Sequence, residues 1–183
     1  MSKAIYFDID RCIGCFACQA ACKQENDLAP HTLEEALEQT SPIWRRVMEV
    51  EQGDYGKETV SYISLSCMHC ADAPCVIACP SGALTRDQEN GRVVVNESKC
   101  IGCKMCLQAC PFGIPQYGKD DLMQKCNLCI DRLEDKDAEP SCVSACPAKA
   151  LRYGDTAELS KKEQSKVAAR LLLATGNKYS AGI

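Results

Sequence analysis

Apolar residues along the 183-residue chain gather in short runs rather than long periodic stretches. Four runs have strand length and are closed by polar residues, glycine or cysteine: Ala4-Ile5-Tyr6-Phe7, Ala83-Leu84-Thr85, Val93-Val94-Val95 and Ala150-Leu151-Arg152-Tyr153. The second and third flank a polar loop with Asn90-Gly91 and predict a hairpin. Another is predicted from strand-like Trp44 to Val50, the turn Gly53-Asp54-Tyr55-Gly56 and the stretch Thr59 to Leu65. Trp44 reads as a packing residue rather than an electron relay. Helical spacing occurs twice. Leu33, Ala36 and Leu37 share one face of a short helix. Leu159, Val167, Leu171 and Leu172 belong to a final helix that opens on a capping box, Asp155 with Glu158, and runs to about Thr175 before Gly176. That helix packs on the chain's own body or, as the sharper alternative, docks a partner.

Elements this short bury little, so something besides side-chain burial must hold them. Hydrophobic residues are 46% of the chain, but 16 of them are cysteines. These fall into four groups of four: Cys12, Cys15, Cys18, Cys22; Cys67, Cys70, Cys75, Cys79; Cys100, Cys103, Cys106, Cys110; and Cys126, Cys129, Cys142, Cys146. Each group opens with a gap of 2 residues and closes with a gap of 3, while the middle gap is 2, 4, 2 and 12 in turn. That is one structural unit with insertions at a single tolerant place. Pro80, Pro111 and Pro147 follow the last Cys in three groups, and Lys23 takes that position in the first.

Disulfides suit secreted chains, and the first residues carry no apolar signal segment. Zinc suits the fourth group best, where two Cys pairs stand 12 residues apart as in a zinc ribbon. Groups one and three read C-x2-C-x2-C-x3-C, the run of bacterial [4Fe-4S] ferredoxins, whose fourth Cys ligates the other cluster of a pair. Iron-sulfur accounts for all four groups at once; a structural zinc protein stays as the alternative. The two-residue gaps let a loop wrap three thiolates around one cube, with Gly14 and Gly102 allowing close passage of the backbone. The three-residue gap is expected to set Cys18 and Cys22, or Cys106 and Cys110, on one helix face about 6 Å apart along the axis. One helical turn then links two clusters, and the proline turns the chain away.

The order of groups and strands predicts which share. Groups two and three, joined by the Ala83–Val95 hairpin, form a central dicluster unit over residues 67–114. Groups one and four are left for each other, and the strands before Cys12 and after Pro147 are expected to pair. The fold class expected is α+β: two bacterial-ferredoxin-like dicluster units of short helices and small β-hairpins. The outer unit is built from both chain ends, residues 1–29 with 115–156. Residues 30–66 are an insertion and 157–183 a C-terminal helix and tail. The expected ligand sets are Cys12, Cys15, Cys18 and Cys146; Cys22, Cys126, Cys129 and Cys142; Cys67, Cys70, Cys75 and Cys110; and Cys79, Cys100, Cys103 and Cys106. Four [4Fe-4S] clusters would take the oxidised chain from a formal charge of −4 to about −12. His69 is then surplus as a ligand and reads as an imidazole beside the ligands or at the surface; His31 reads as solvated.

Other chemistries find no support. A net charge of −4 without a basic block leaves no footprint for nucleic acid. The apolar run Val167 to Ala174 is broken by Arg170 and is far short of the roughly 20 residues that span a bilayer. There is no phosphate loop and no dinucleotide glycine fingerprint. Clusters with four Cys each leave no iron open to substrate, so electron transfer without catalysis is the expected role. The absence of a signal favours the cytoplasm, with export alongside a partner as the other route.

The four-group order, Ser66-Cys67-Met68-His69-Cys70 through Pro74-Cys75 to Cys79-Pro80-Ser81-Gly82-Ala83, and Cys126-Asn127-Leu128-Cys129 with Asp131-Arg132 resemble the four-cluster iron-sulfur subunit of the dimethyl sulfoxide reductase family. The resemblance covers residues 4 to about 154. It implies the same exchange of ligands and a wire from a molybdenum or tungsten pterin catalytic subunit to a second redox partner, such as a membrane anchor, a quinone-linked subunit, a ferredoxin or a hydrogenase. Some relatives replace one third-group Cys by Trp and hold a [3Fe-4S] cluster; Cys103 is intact here. The alternative within the same chemistry is a free or filament-forming polyferredoxin serving a hydrogenase, formate dehydrogenase or aldehyde oxidoreductase.

Overall fold

The computed structural model describes residues 3–28, 41–118, 120–134 and 138–174. His31, the expected helix at Leu33, Ala36 and Leu37, and the stop at Gly176 lie outside these residues. The strands are β1 (Lys3–Phe7), β2 (Arg46–Gln52), β3 (Thr59–Leu65), β4 (Leu84–Arg86), β5 (Val93–Val95), β6 (Gln116–Tyr117), β7 (Met123–Gln124) and β8 (Leu151–Asp155). The helices are α1 (Ala17–Glu25), α2 (Pro74–Ile77), α3 (Met105–Ala109), α4 (Ser141–Ser144) and α5 (Thr156–Ala174). Among the described residues the strands form four two-stranded antiparallel sheets: β1 with β8, β2 with β3, β4 with β5 and β6 with β7.

Two of these sheets carry the same device. In the first, Ile5 pairs with Tyr153 and Phe7 with Leu151, and the Asp8 N–H donates to Ala150 O at 2.8 Å. In the other, Leu84 pairs with Val95, and the Asn96 N–H donates to Ala83 O at 2.8 Å. A 3-10 turn follows each, Ile9–Arg11 and Glu97–Lys99, and delivers Cys12 and Cys100. Gly14 and Gly102 then both lie at φ +65°, and the residues entering the helices, Phe16 and Lys104, are left-handed too. The repeat seen in the cysteine spacing is thus a repeat of backbone.

Helix length answers to one residue per group. In α1, Cys18 and Cys22 are both helical, and Lys23 lets the helix continue to Glu25. The expected helical Cys106–Cys110 pair is different: α3 ends at Ala109, and Cys110 is extended, with φ −80° and ψ 115°. Pro111 is the cause, since a residue before proline is driven out of the α region. Cys79 and Cys146, before Pro80 and Pro147, likewise lie beyond the ends of α2 and α4.

Two small hydrophobic clusters form around the cysteines. One gathers Cys18, Val47, Cys142, Val143, Cys146, Ala150 and Leu151, with Ile5, Phe7 and Tyr62 against it. The other gathers Ala73, Leu84, Val93, Cys106 and Met123, with Cys70, Cys75, Cys79 and Cys100 against it. The β2–β3 hairpin contributes Val47 and Tyr62 to the first cluster and is tied to α1 by the Val47 N–H donating to Gln19 Oε1 at 3.0 Å. Its first strand begins at Arg46 rather than Trp44, because Arg45 turns inward on the Ser64 and Ser66 hydroxyls. Helix α5 is capped by Asp155, whose Oδ1 accepts from the Ala157 N–H at 2.9 Å. It rests on β1 and β8, where Lys166 pairs with buried Asp8 at 2.5 Å and Arg152 with Glu163 at 2.9 Å. No helix among the described residues is long and apolar enough to cross a membrane.

Candidate metal centres

All sixteen cysteines are free thiols. Burial pushes half of them up, and the neighbours that add to the shift reveal the grouping. Cys22 is pushed up to about 12, by burial first and then by Cys126, Cys142 and Cys129. Cys18 is raised by burial, with Cys146 and Cys12 adding to the rise while the Ser64 hydroxyl, 3.7 Å from its Sγ, opposes it. Cys12, Cys15, Cys18 and Cys146 also line one small cavity together with Gly14, Val47, Ser64 and Leu151. Burial raises Cys75, and Cys67 and Cys110 raise it further. Cys106 is raised by burial with Cys103 adding, and Tyr117 feels Cys106, Cys100 and Cys103 together. Cys79 goes the other way: burial works upward, but the N–H groups of Leu84, Ala83 and Ser81 and the Ser81 hydroxyl outweigh it.

Local backbone sets the thiols. The loops of groups two and four are copies. The His69 N–H donates to Cys67 Sγ at 3.4 Å, and the Leu128 N–H to Cys126 Sγ at 3.4 Å, both from left-handed residues. In groups one and three, Cys15 and Cys103 are exposed, while Cys18 and Cys106 behind them are buried. Among the described residues no three His, Cys, Asp or Glu side chains converge on a single-ion site. A tetrahedral zinc site would need sulfurs about 3.8 Å apart around one centre.

Three further side chains were not singled out by the sequence pattern. Arg45 is only 3% exposed, and its guanidinium donates to Ser64 Oγ at 3.0 Å and to Ser66 Oγ at 2.5 Å. Lys125 is 4% exposed and donates to the carbonyls of Val93 and Cys126, the latter at 3.0 Å. Tyr117 places its hydroxyl 3.0 Å from Cys106 Sγ. Arg45 stands just before β2, two residues before buried Val47, and Lys125 just after β7, two after buried Met123, so the alternation of each strand, carried one residue past its end, points to both. His69 is not at the surface. Its Nδ1 accepts the Val93 N–H at 3.0 Å, and burial, with Lys125 and Arg92 adding, pushes its pKa down to about 3. It stands where group four has Leu128, a core residue.

The two buried cations test the fit of the cofactor. Neither has a carboxylate partner among the described residues: Lys125 is met by carbonyl oxygens, and Arg45 by two hydroxyls and the Cys142 thiol. A buried charge without a counter-ion costs several kcal/mol. Four-cysteine [4Fe-4S] clusters, each carrying about −2 when oxidised, supply that counter-charge among thiols that burial otherwise holds protonated. The cysteine, arginine and lysine set therefore fits anionic clusters.

Two models of the 4Fe-4S dicluster domain match the sequence, over residues 58–156 and 11–83. The anaerobic dimethyl sulfoxide reductase of Escherichia coli has a chain 40% identical over 166 residues, which covers 86% of this protein and 75% of the relative. The thiosulfate reductase electron transfer subunit PhsB of Salmonella typhi is 41% identical over 160 residues, 84% of this protein and 77% of its own length. A subunit of the sulfite dehydrogenase of Allochromatium vinosum is 39% identical over 163 residues, covering 83% and 68%. Two dicluster domains correspond to four [4Fe-4S] clusters, and the chain has sixteen cysteines, a number that matches four per cluster. With both halves matched in this way, the protein belongs to the 4Fe-4S dicluster family, among the non-catalytic iron-sulfur electron-transfer subunits of oxidoreductases such as the anaerobic dimethyl sulfoxide and thiosulfate reductases.

Proposed function

We propose that the chain wires a molybdenum or tungsten pterin catalytic subunit to a second redox carrier through four clusters held in exchanged sets. The sets are Cys12, Cys15, Cys18 and Cys146; Cys22, Cys126, Cys129 and Cys142; Cys67, Cys70, Cys75 and Cys110; and Cys79, Cys100, Cys103 and Cys106. The observation that carries this is Cys22, a group-one residue whose thiol neighbours are Cys126, Cys129 and Cys142 of group four. It supports an outer dicluster unit made from both chain ends, as does the pairing of β1 with β8. The central unit is then residues 67–114.

The clusters supply one-electron chemistry; the chain supplies their spacing and surroundings. Helix α1 carries Cys18 and Cys22 on successive turns, which joins the first set to the second. Cys126 acts on Cys67, which joins the second to the third. Cys75, within α2, and Cys79, just beyond its end, join the third to the fourth. The order is linear, and each end has an exposed ligand, Cys15 at one and Cys103 at the other. Exposed Ile13 and Phe16 stand around the first, and exposed Ile101 and Met105 around the second. Electrons enter at one end and leave at the other, with the cytoplasm as the working compartment.

The test is the Fe, Mo, W and Zn content per chain of the protein isolated without oxygen from its host. About 16 Fe in the chain, together with stoichiometric Mo or W in a co-purifying subunit, is expected. Iron alone, on monomers or filaments, would replace this reading by a free polyferredoxin, and zinc would end the iron-sulfur assignment. Recovery of the complex outside the cytoplasm would overturn the compartment.

A further inference from the structure

The buried cations are placed at particular junctions along the wire. Arg45 leaves the start of the β2–β3 hairpin and lies under it, 3% exposed. One nitrogen donates to Ser64, whose hydroxyl is 3.7 Å from Cys18 Sγ and lines the cavity of the first cysteine set. The other donates to Ser66, the residue before Cys67. The guanidinium also hydrogen-bonds the Cys142 thiol of the second set, and its charge acts on Cys22 and Cys126 of the same set. Lys125 occupies the next junction. It donates to Cys126 O, beside the second set, and to Val93 O, whose own N–H is held by His69 between Cys67 and Cys70. No such cation is buried among the thiols of the fourth set in the described residues: Lys104, next to Cys103, pairs with Asp121 at 3.1 Å and is half exposed.

We infer that Arg45 is a positioning charge between the first and second clusters, and Lys125 one between the second and third, each raising the reduction potentials of the clusters it separates. This rests on the four-cluster reading above. The physics is direct. Reduction adds one negative charge to a cluster, and a fixed cation in a low-dielectric site stabilises the more negative state. The arginine is always charged, so its effect needs no proton. The two hydroxyls hold the fork rigidly, which makes the field a property of the fold rather than of a mobile side chain. The fourth cluster, without such a neighbour, keeps a potential independent of both cations.

The experiment is an EPR-monitored redox titration of the anaerobically purified complex, with wild type, Arg45→Gln, Arg45→Lys and Lys125→Gln. About 16 Fe per wild-type chain establishes the reading on which the inference rests; a lower wild-type count fails that reading and not this one. In Arg45→Gln two of the four midpoint potentials are expected to fall at least tenfold in reduction constant, about 59 mV for a one-electron couple, while the other two stay. Arg45→Lys keeps the charge and is expected to stay close to wild type. In Lys125→Gln a different pair falls, sharing one cluster with the Arg45 pair. Four unmoved potentials, four that move alike, or an Arg45→Lys variant that falls as far as Arg45→Gln would each overturn the inference, the last because it would reduce Arg45 to a hydrogen-bonding strut.

Discussion

Gly14 and Gly82 lie at nearly the same left-handed backbone angle, φ +65° and +63°, in loops that carry cysteines, yet their surroundings differ. A Cβ at Gly14 would stand 2.5 Å from Cδ1 and Cε1 and 2.6 Å from Cγ of Tyr62; at Gly82 nothing lies within 4 Å. An alanine at either site bears the left-handed strain of about 1–2 kcal/mol. Only Gly14→Ala adds overpacking, about 1–3 kcal/mol. The upper part of that range applies, because Cγ is the root of the ring and Tyr62 packs against the first hydrophobic cluster. A difference of about 2–3 kcal/mol corresponds to roughly 30- to 150-fold in a local opening equilibrium. The assay is anaerobic release of iron to a chelator at a fixed, sub-denaturing guanidinium concentration, since loss of the cofactor makes stability a rate. Gly14→Ala should release its first iron faster than Gly82→Ala by that factor. In a Tyr62→Ala background the gap should close, which the double-mutant cycle reads directly. Equal rates for the two single variants, or a gap that survives removal of the ring, would refute the steric account.

Deleting residues 1–10 removes β1 and its pairing with β8, and iron should fall from about 16 toward about 8 per chain; an unchanged count would sink the chain-end unit. Cys22→Ser and Cys126→Ser should perturb the same EPR signal and Cys18→Ser a different one, and a signal shared by Cys18→Ser and Cys22→Ser would reject the exchange of ligands. Asp8 is held below the usual carboxylate range chiefly by its hydrogen bond from Lys166, against an opposing effect of burial. Its stabilising contribution is therefore full at neutral pH and is lost only as pH falls below about 3.9 and through the lower folded value. Asp8→Asn at pH 7 should loosen α5 by about 1 kcal/mol, since Lys166 is partly solvated, seen as roughly fivefold faster amide exchange in residues 160–168; wild-type exchange there would refute it.

Much of this was legible because the cysteine repeat and the strand pattern are local signals. The hairpin around Asn90-Gly91 has its strands at Leu84–Arg86 and Val93–Val95, and the insertion strand Thr59–Leu65 stands where the alternation put it. The ends of the short helices are local as well, though cysteine spacing alone misses them: the residue before proline is extended, so Cys110 cannot complete a helical turn with Cys106, while Cys22, before Lys23, can with Cys18. The burial of His69, Arg45 and Lys125 was not visible in the cysteine spacing. An imidazole takes the place of Leu128 in a repeated loop, and two cations are buried just outside the ends of β2 and β7, where apolar residues are usual. Polar residues there contradict the local pattern, and only the packing shows what they face.

That contradiction bears on how the protein folds. Sixteen thiols, only two of them exposed and half of them pushed upward by burial, and two buried cations with no carboxylate partner among the described residues make a poor interior for a chain of such short elements. Each fault is removed by the same event. Loading deprotonates the thiols, ties three cysteines of one group to one of another at each cluster, and brings the negative charge that the arginine and lysine lack. Cluster binding is then folding free energy, as for small metal-bound domains generally. The two halves do not depend on it equally: the first hydrophobic cluster draws Cys18 and Cys142 from segments 124 residues apart, whereas the second gathers Ala73 to Met123 from one contiguous stretch. The contiguous half has the shorter loops to close and so the smaller entropy to overcome. Its clusters should assemble first, leaving the chain ends to be joined last.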